Sequence, residues 1–138
     1  MSKDELVRKI KQIIANLRAG KFDDVYAGYL ELFSDPEFLK HRPEDQRQAL
    51  RLMVNAKSPM PSPSQVMLDA HRAAVLPLTE LVSVYDDPGD YEMLGICHLL
   101  LGNVESAARM YRAGLAIERV RNPQSDLCGT LMRRVAEL

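Results

Sequence analysis

Residues 91–111 read YEMLGICHLLLGNVESAARMY, and this stretch decides the fold. Its apolar residues recur at steps of three and four, which is the spacing of an amphipathic helix. Gly102-Asn103 interrupts the pattern, and glycine permits a tight turn between two helices. The stretch therefore predicts a helical hairpin, with one helix over about Tyr91–Leu101 and the next over about Val104–Arg119.

The same helical spacing continues toward the N-terminus, and alternating β-strand patterns do not occur. Ser2 and Glu5 have the spacing of a capping box at the start of a first helix, and Gly20 ends that helix. A second helix is predicted over about Phe22–Phe33. It stops before Pro36, because proline disfavours helical backbone at the residue that precedes it.

Three further helices complete a predicted set of about seven. Pro43 suits the first turn of the third helix, and the fourth runs over about 64–85. Pro77 lies inside the fourth helix, so a kink or a break is expected there. The Pro-rich insert 58–63 is predicted to be a loop, and Asn122-Pro123 is predicted to cap the seventh helix.

Two segments of the chain share one spacing of glycine, apolar and aromatic residues. They are Gly20, Phe22, Val25 and Tyr29 in the first copy, and Gly102, Val104, Ala107 and Tyr111 in the second. The second copy resembles a tetratricopeptide repeat, whose pattern of about 34 residues runs aromatic-x2-Leu-Gly-x2-Tyr, then Ala-x3-aromatic. The matching residues are Tyr91, Leu94, Gly95, His98, Ala107 and Tyr111, with His98 in the usual tyrosine position.

This resemblance implies an all-α fold, in which antiparallel helix pairs stack as a short right-handed TPR-like solenoid. Residues 1–138 then form a single TPR-like domain. Its repeats are expected at about 3–37, 43–86 and 90–120, with a capping helix at 123–138. A non-repeating helical bundle is the alternative interpretation of the same pattern.

Composition argues against two classes of protein. The 138 residues include 18 Lys+Arg and 19 Asp+Glu, and this net charge of −1 does not favour nucleic-acid binding. No apolar run reaches the roughly 18 residues of a membrane span, and residues 1–20 lack the apolar core of a signal peptide. Cys97 and Cys128 each stand alone, as is typical of buried, reduced thiols. A cytoplasmic location is therefore expected.

No motif points to catalysis or to a bound metal. The sequence has no GxSxG, phosphate-binding loop, CxxC or HExxH motif. His98 follows Cys97, but neighbouring helical positions point about 100° apart and do not by themselves pair a base with a nucleophile. We therefore expect a non-enzymatic protein without cofactors, in which His98 is a core or half-buried residue.

The resemblance implies a protein-protein interaction module, adaptor or chaperone-like, that binds an extended or helical segment of a partner. In such solenoids the first helix of each pair lines a concave groove. Lys and Arg are absent from residues 22–39 and 73–108, so the groove is expected to be basic at its N-terminal end and acidic and apolar at the other. An acidic partner segment is one option. The candidate groove residues are Arg8, Lys11, Arg18, Arg51, Asn55, Glu92, Ile96 and Leu99.

Two alternatives to a binding groove stay open. The charged positions could form ordinary solvated helix faces. The chain could also be a structural homo-oligomer, such as a homodimer, that assembles through an apolar stripe on its last helix. That stripe consists of Leu127, Leu131, Val135 and Leu138.

Overall fold

A computed structural model describes residues 1–57 and 62–138, which contain seven α-helices, one short 3₁₀ helix and no strand. The elements are α1 (Lys3–Arg18), α2 (Phe22–Ser34), the 3₁₀ helix (Pro36–Lys40), α3 (Pro43–Val54), α4 (Gln65–Tyr85), α5 (Pro88–Leu100), α6 (Val104–Arg121) and α7 (Asp126–Ala136). The prediction of an all-α protein is confirmed. Within the predicted insert 58–63, residues 58–61 lie outside the described residues.

Side-chain caps explain where several helices begin. The Ser2 hydroxyl accepts from the Glu5 amide at 3.1 Å, as predicted. Asp87 caps α5 in the same manner, so this helix begins at Pro88 rather than Tyr91. The prediction that Asn122-Pro123 caps the last helix is wrong, because the Ser125 hydroxyl accepts from the Cys128 amide at 3.0 Å and α7 begins after it.

The expected break at Pro77 does not occur, because α4 continues through this residue as one helix. Proline removes one backbone hydrogen bond from a helix. Here the neighbouring Ala74, Leu78 and Leu81 are buried, and tertiary packing of this kind supplies most of the stability of a protein helix. The chain divides at Pro77 into two compact units, Met1–Pro77 and Leu78–Leu138.

The core of the N-terminal unit is rich in aromatic side chains. Tyr29 and Phe33 of α2 stack with their ring centroids 5.7 Å apart. Phe38 of the 3₁₀ helix meets Phe33 edge-on at 5.2 Å. The 3₁₀ helix was not predicted, and it closes this end of the core because its Phe38 is fully buried.

In the C-terminal unit, α6 packs against both α5 and α7. The core cluster consists of Ala107, Tyr111, Leu115, Cys128 and Leu131. Cys97 is also buried, so both cysteines have the environment that the sequence predicts. Gly95 allows α5 to approach α6 closely, because a Cβ atom at this position would lie 2.6 Å from Cδ1 of Tyr111.

The α1–α2 and α5–α6 turns have the same backbone geometry. Gly20 and Gly102 both adopt the left-handed conformation, with φ of +74° and +84°. The bonds of the first turn are Ala19 N to Ala15 O, Gly20 N to Leu17 O and Lys21 N to Asn16 O; those of the second are Leu101 N to Cys97 O, Gly102 N to Leu99 O and Asn103 N to His98 O. The sequence similarity of the two segments thus extends to their hydrogen bonds.

Candidate interaction site

The predicted groove residues fall in both units of the chain. Arg8, Lys11, Arg18, Arg51 and Asn55 belong to the N-terminal unit, and all five are exposed. Glu92, Ile96 and Leu99 belong to α5 in the C-terminal unit. Glu92 and Ile96 are half-buried there, and Leu99 is exposed.

A cavity of about 320 Å³ opens in the C-terminal unit beside Leu99. Its lining also includes Val104 and Tyr111 from α6, Arg134 from α7, and Glu137 and Leu138 beyond α7. An adjoining cavity of about 360 Å³ shares Leu99, Tyr111 and Arg134 and adds Ile96 and Leu100. We call the two together the α5–α7 groove.

The mouth of the α5–α7 groove is apolar. Leu99, Val104 and Leu138 are 43%, 49% and 42% exposed, and they come from three different segments of the chain. A single exposed aliphatic residue is common on protein surfaces, whereas several around one concavity are typical of a binding surface. The groove thus offers a partner aliphatic contacts from three sides.

An ion pair between Arg134 and Glu92 lies at the polar side of the groove. The Arg134 Nε donates to a Glu92 carboxylate oxygen at 2.8 Å, with the side chains 34% and 12% exposed. Burial alone would lower the pKa of Arg134, but the bond and charge of Glu92 raise it overall. Glu92 is therefore not the free acidic contact that the sequence predicts, because Arg134 neutralises it within the unit.

Tyr111 lies beneath the groove and is almost fully buried. The Arg134 guanidinium carbon is 5.7 Å from the ring centroid, within the range of a cation–π contact. Burial raises the pKa of the Tyr111 phenol, and the charge of Arg134 opposes this change. The phenol is therefore protonated at neutral pH, and its hydroxyl has no hydrogen-bond partner among the described residues.

Part of the predicted oligomer stripe belongs to the core of its own unit. Leu131 is fully buried, and Leu127 and Val135 pack against the same cluster. The prediction that Leu131 forms an intermolecular contact is therefore wrong, since this side chain has no free surface. Leu138 stays exposed at the α5–α7 groove.

Ile96 and His98 flank the buried Cys97 on α5. Ile96 is half-buried, packs against the core cluster and also lines the groove. His98 is half-buried, as the sequence predicts. Desolvation and the charge of Arg109 lower the pKa of His98, so the imidazole is neutral at neutral pH.

Sequence reasoning missed Val104, Tyr111, Arg134 and Glu137 as groove residues. Tyr111 was assigned to the repeat pattern, where an aromatic residue is expected in the core. Val104 could have been predicted as an exposed apolar residue, because it is an aliphatic residue at the very start of a helix. Nothing in the local sequence links Arg134 to Glu92, because the two lie far apart along the chain.

Replacing Arg134 with methionine is expected to lower the free energy of unfolding by about 1–2 kcal/mol. The change leaves the largely buried Glu92 carboxylate without its partner, and hydrogen bonds to charged groups contribute about this much. Arg133→Met is the matched control, because Arg133 is exposed and its one hydrogen bond within the described residues is to Thr130 on the same helix. Urea unfolding of both variants measures the difference.

A double-mutant cycle tests the cause of that loss. With Glu92→Leu already present, Arg134→Met should cost about 1 kcal/mol less than it does in the original chain. Equal costs in the two backgrounds would show that Arg134 contributes through packing and not through Glu92.

The described part of the chain contains no cluster of three or more His, Cys, Asp or Glu residues placed to hold a metal ion. Among residues 1–57 and 62–138, no helix has the length and apolar character required to span a membrane. No protein-family model, curated protein or solved structure matches this chain.

Proposed function

We propose that the chain is a non-enzymatic protein-interaction module, adaptor or chaperone-like, that binds an apolar segment of a partner protein. One observation carries the proposal. Leu99, Val104 and Leu138 are exposed around a single concavity of about 320 Å³. Exposed aliphatic groups lose water contact when a complementary side chain enters such a groove, which favours association.

We also infer that the helix pairs α1–α2 and α5–α6 are degenerate TPR-like repeats of a short right-handed solenoid. Two observations support this. The turns at Gly20 and Gly102 have the same pattern of hydrogen bonds. Gly95 and Tyr111, which approach each other closely, are both residues that match the repeat pattern. In that arrangement α5 is the first helix of its pair, so its Leu99 faces the concave side.

The charges at the groove indicate which segment fits best. Glu92 neutralises Arg134, whereas Glu137 is exposed and forms no ion pair within the described residues. A partner segment with aliphatic anchors and one neighbouring cation therefore complements the groove. The proposal places the chain in the cytoplasm, where the thiols of Cys97 and Cys128 stay reduced.

A selection from a random peptide library, displayed on phage and panned against the full chain, tests the proposal. We expect selected peptides to carry aliphatic residues and to bind about tenfold more weakly to Leu99→Glu and Val104→Glu. Burial of one aliphatic side chain contributes about 1.5–3 kcal/mol, and 1.4 kcal/mol corresponds to a tenfold change in affinity. Fluorescence anisotropy with labelled peptides measures the change.

Val120→Glu is the matched control. Val120 lies on α6 like Val104 and is 83% exposed, but it does not line the groove. Its replacement should leave the affinity unchanged, and circular dichroism should show that all three variants stay helical. Peptides that bind Leu99→Glu and Val104→Glu as tightly as the original chain would contradict the assignment of the groove.

A homo-oligomer that assembles through the C-terminal helix is the second candidate, and the exposure of Met132 and Leu138 favours it. A dimer using these residues should dissociate in Met132→Glu/Leu138→Glu. Static light scattering over the micromolar range decides between the two functions. A monomer at every concentration rejects the oligomer without affecting the peptide-binding proposal.

A further inference from the structure

A second apolar cleft lies in the N-terminal unit, with a volume of about 70 Å³. We call it the α1–α3 cleft, because Leu17 of α1, a face of α2 and the end of α3 form it. Its lining consists of Leu17, Phe22, Val25, Tyr26, Tyr29, Leu52, Met53, Ala56 and Lys57. Leu17 and Leu52 are 47% and 41% exposed, so apolar surface from two helices reaches solvent here.

Basic residues lie at the lining of this cleft or next to it along the chain. Lys57 lines it, and Arg18, Lys21 and Arg51 are the sequence neighbours of the lining residues Leu17, Phe22 and Leu52. All four are exposed, and none forms an ion pair with any residue of the described chain.

Five other cations of the N-terminal unit form ion pairs. The pairs are Lys3–Asp45, Lys9–Asp35, Lys40–Glu37, Arg42–Asp45 and Arg72–Asp69. Arg8 and Lys11 resemble the cleft cations in being exposed and unpaired, and Lys11 lies two turns before Arg18 on the same side of α1. Unpaired positive charge is therefore concentrated on α1 and around the cleft.

A favourable interaction with a helix dipole explains the positions of only some of these cations. Arg18 and Arg51 lie in the last turns of α1 and α3, where a cation interacts favourably with the helix dipole. Lys21 occupies the N-cap position of α2, where a cation is unfavourable, and Lys57 lies beyond α3. Their positions are therefore not accounted for by helix stability.

The nearest acidic residues along the chain form no ion pair with these cations among the described residues. Asp23 and Asp24 are in the first turn of α2, where carboxylates favour the helix. The cleft uses the face of α2 that carries Phe22, Val25 and Tyr29. At 100° per residue, Asp23 lies beside that face and Asp24 nearly opposite to it.

We propose that the α1–α3 cleft is a second docking site, which takes an acidic protein segment bearing one aliphatic side chain. Charge complementarity selects the acidic segment, because the neighbouring cations have no ion-pair partner within residues 1–57 and 62–138. The cavity has about the volume that two waters occupy in the liquid, so it suits one short side chain and not a helix face. This proposal does not depend on the α5–α7 groove.

The probe is a fluorescein-labelled twelve-residue peptide in which one leucine is flanked by glutamates, and anisotropy measures its affinity for the full chain. We expect about a tenfold loss in Arg18→Glu/Lys57→Glu and a comparable loss in Leu52→Ser. Lys40→Glu/Arg72→Glu is the matched control, because it changes the net charge equally at two cations that Glu37 and Asp69 already neutralise. It should bind with unchanged affinity.

Two further arms separate the sources of affinity. A peptide with serine in place of the leucine should bind about tenfold more weakly. Leu99→Glu, which changes the α5–α7 groove and not the α1–α3 cleft, should bind the leucine peptide with unchanged affinity. This result is expected whether or not the α5–α7 groove binds a partner. The proposal is overturned by equal binding of the two peptides, by an equal loss in Lys40→Glu/Arg72→Glu, or by no binding at all. Tighter binding of anionic vesicles or of a single-stranded oligonucleotide, lost in Arg18→Glu/Lys57→Glu, also overturns it in favour of that ligand class.

Discussion

Replacing Gly95 with alanine is expected to lower the free energy of unfolding by about 1–2 kcal/mol. The added Cβ would lie 2.6 Å from Cδ1 of Tyr111, which is too close for a real contact, and 3.0 Å from Cζ, which is unusually tight. Tyr111 packs in the core cluster with Ala107, Leu115 and Leu131, so its ring could yield toward the α5–α7 groove only by disturbing this packing. Overpacking of this kind costs more than the roughly 1 kcal/mol that alanine gains over glycine in a helix.

Gly129→Ala is the matched control for Gly95→Ala. Gly129 is also helical, but a Cβ atom there would meet nothing within 4 Å. This variant should therefore unfold at a higher urea concentration, with a gain of about 0.5–1 kcal/mol. The two substitutions are chemically identical, so their opposite signs isolate the contact with Tyr111. A gain for both would show that α5 and α6 are not in close contact at Gly95.

The helices were predictable because their signals are local. The steps of three and four between apolar residues, the Ser2 cap and the glycine turns each involve residues within a few positions of one another. The prediction that the second helix ends before Pro36 is confirmed, because α2 ends at Ser34. The 3₁₀ helix that follows was missed, although Asp35 caps it and Pro36 lies in its first turn. A five-residue helix has too little periodicity to be recognised.

The candidate site was less predictable, because it depends on contacts between distant residues. Leu99 was correctly placed on the exposed side of α5, since the helical frame determines that face. Glu92 has the same local appearance, but Arg134 neutralises it across the α5–α7 groove. The stripe from Leu127 to Leu138 has helical spacing whether it packs inside the unit or on another molecule. Only tertiary packing shows that Leu131 is internal.

Phe38→Ala is expected to cause the largest loss of stability, about 3–5 kcal/mol. Phe38 is fully buried in the 3₁₀ helix and meets Phe33 of α2 edge-on, with centroids 5.2 Å apart. Truncation removes the buried ring surface and leaves a cavity, and phenylalanine-to-alanine changes in protein cores cost this much. Urea unfolding followed by circular dichroism should show a lower midpoint with an unchanged slope.

Two further variants keep this prediction testable if Phe38→Ala does not fold. Phe38→Leu retains most of the apolar volume and should cost about 1–2 kcal/mol. Lys40→Ala, in the same 3₁₀ helix, removes an exposed side chain paired with Glu37 and should change stability by less than about 0.5 kcal/mol. If Phe38→Leu is no more costly than Lys40→Ala, then the 3₁₀ helix does not close the aromatic core.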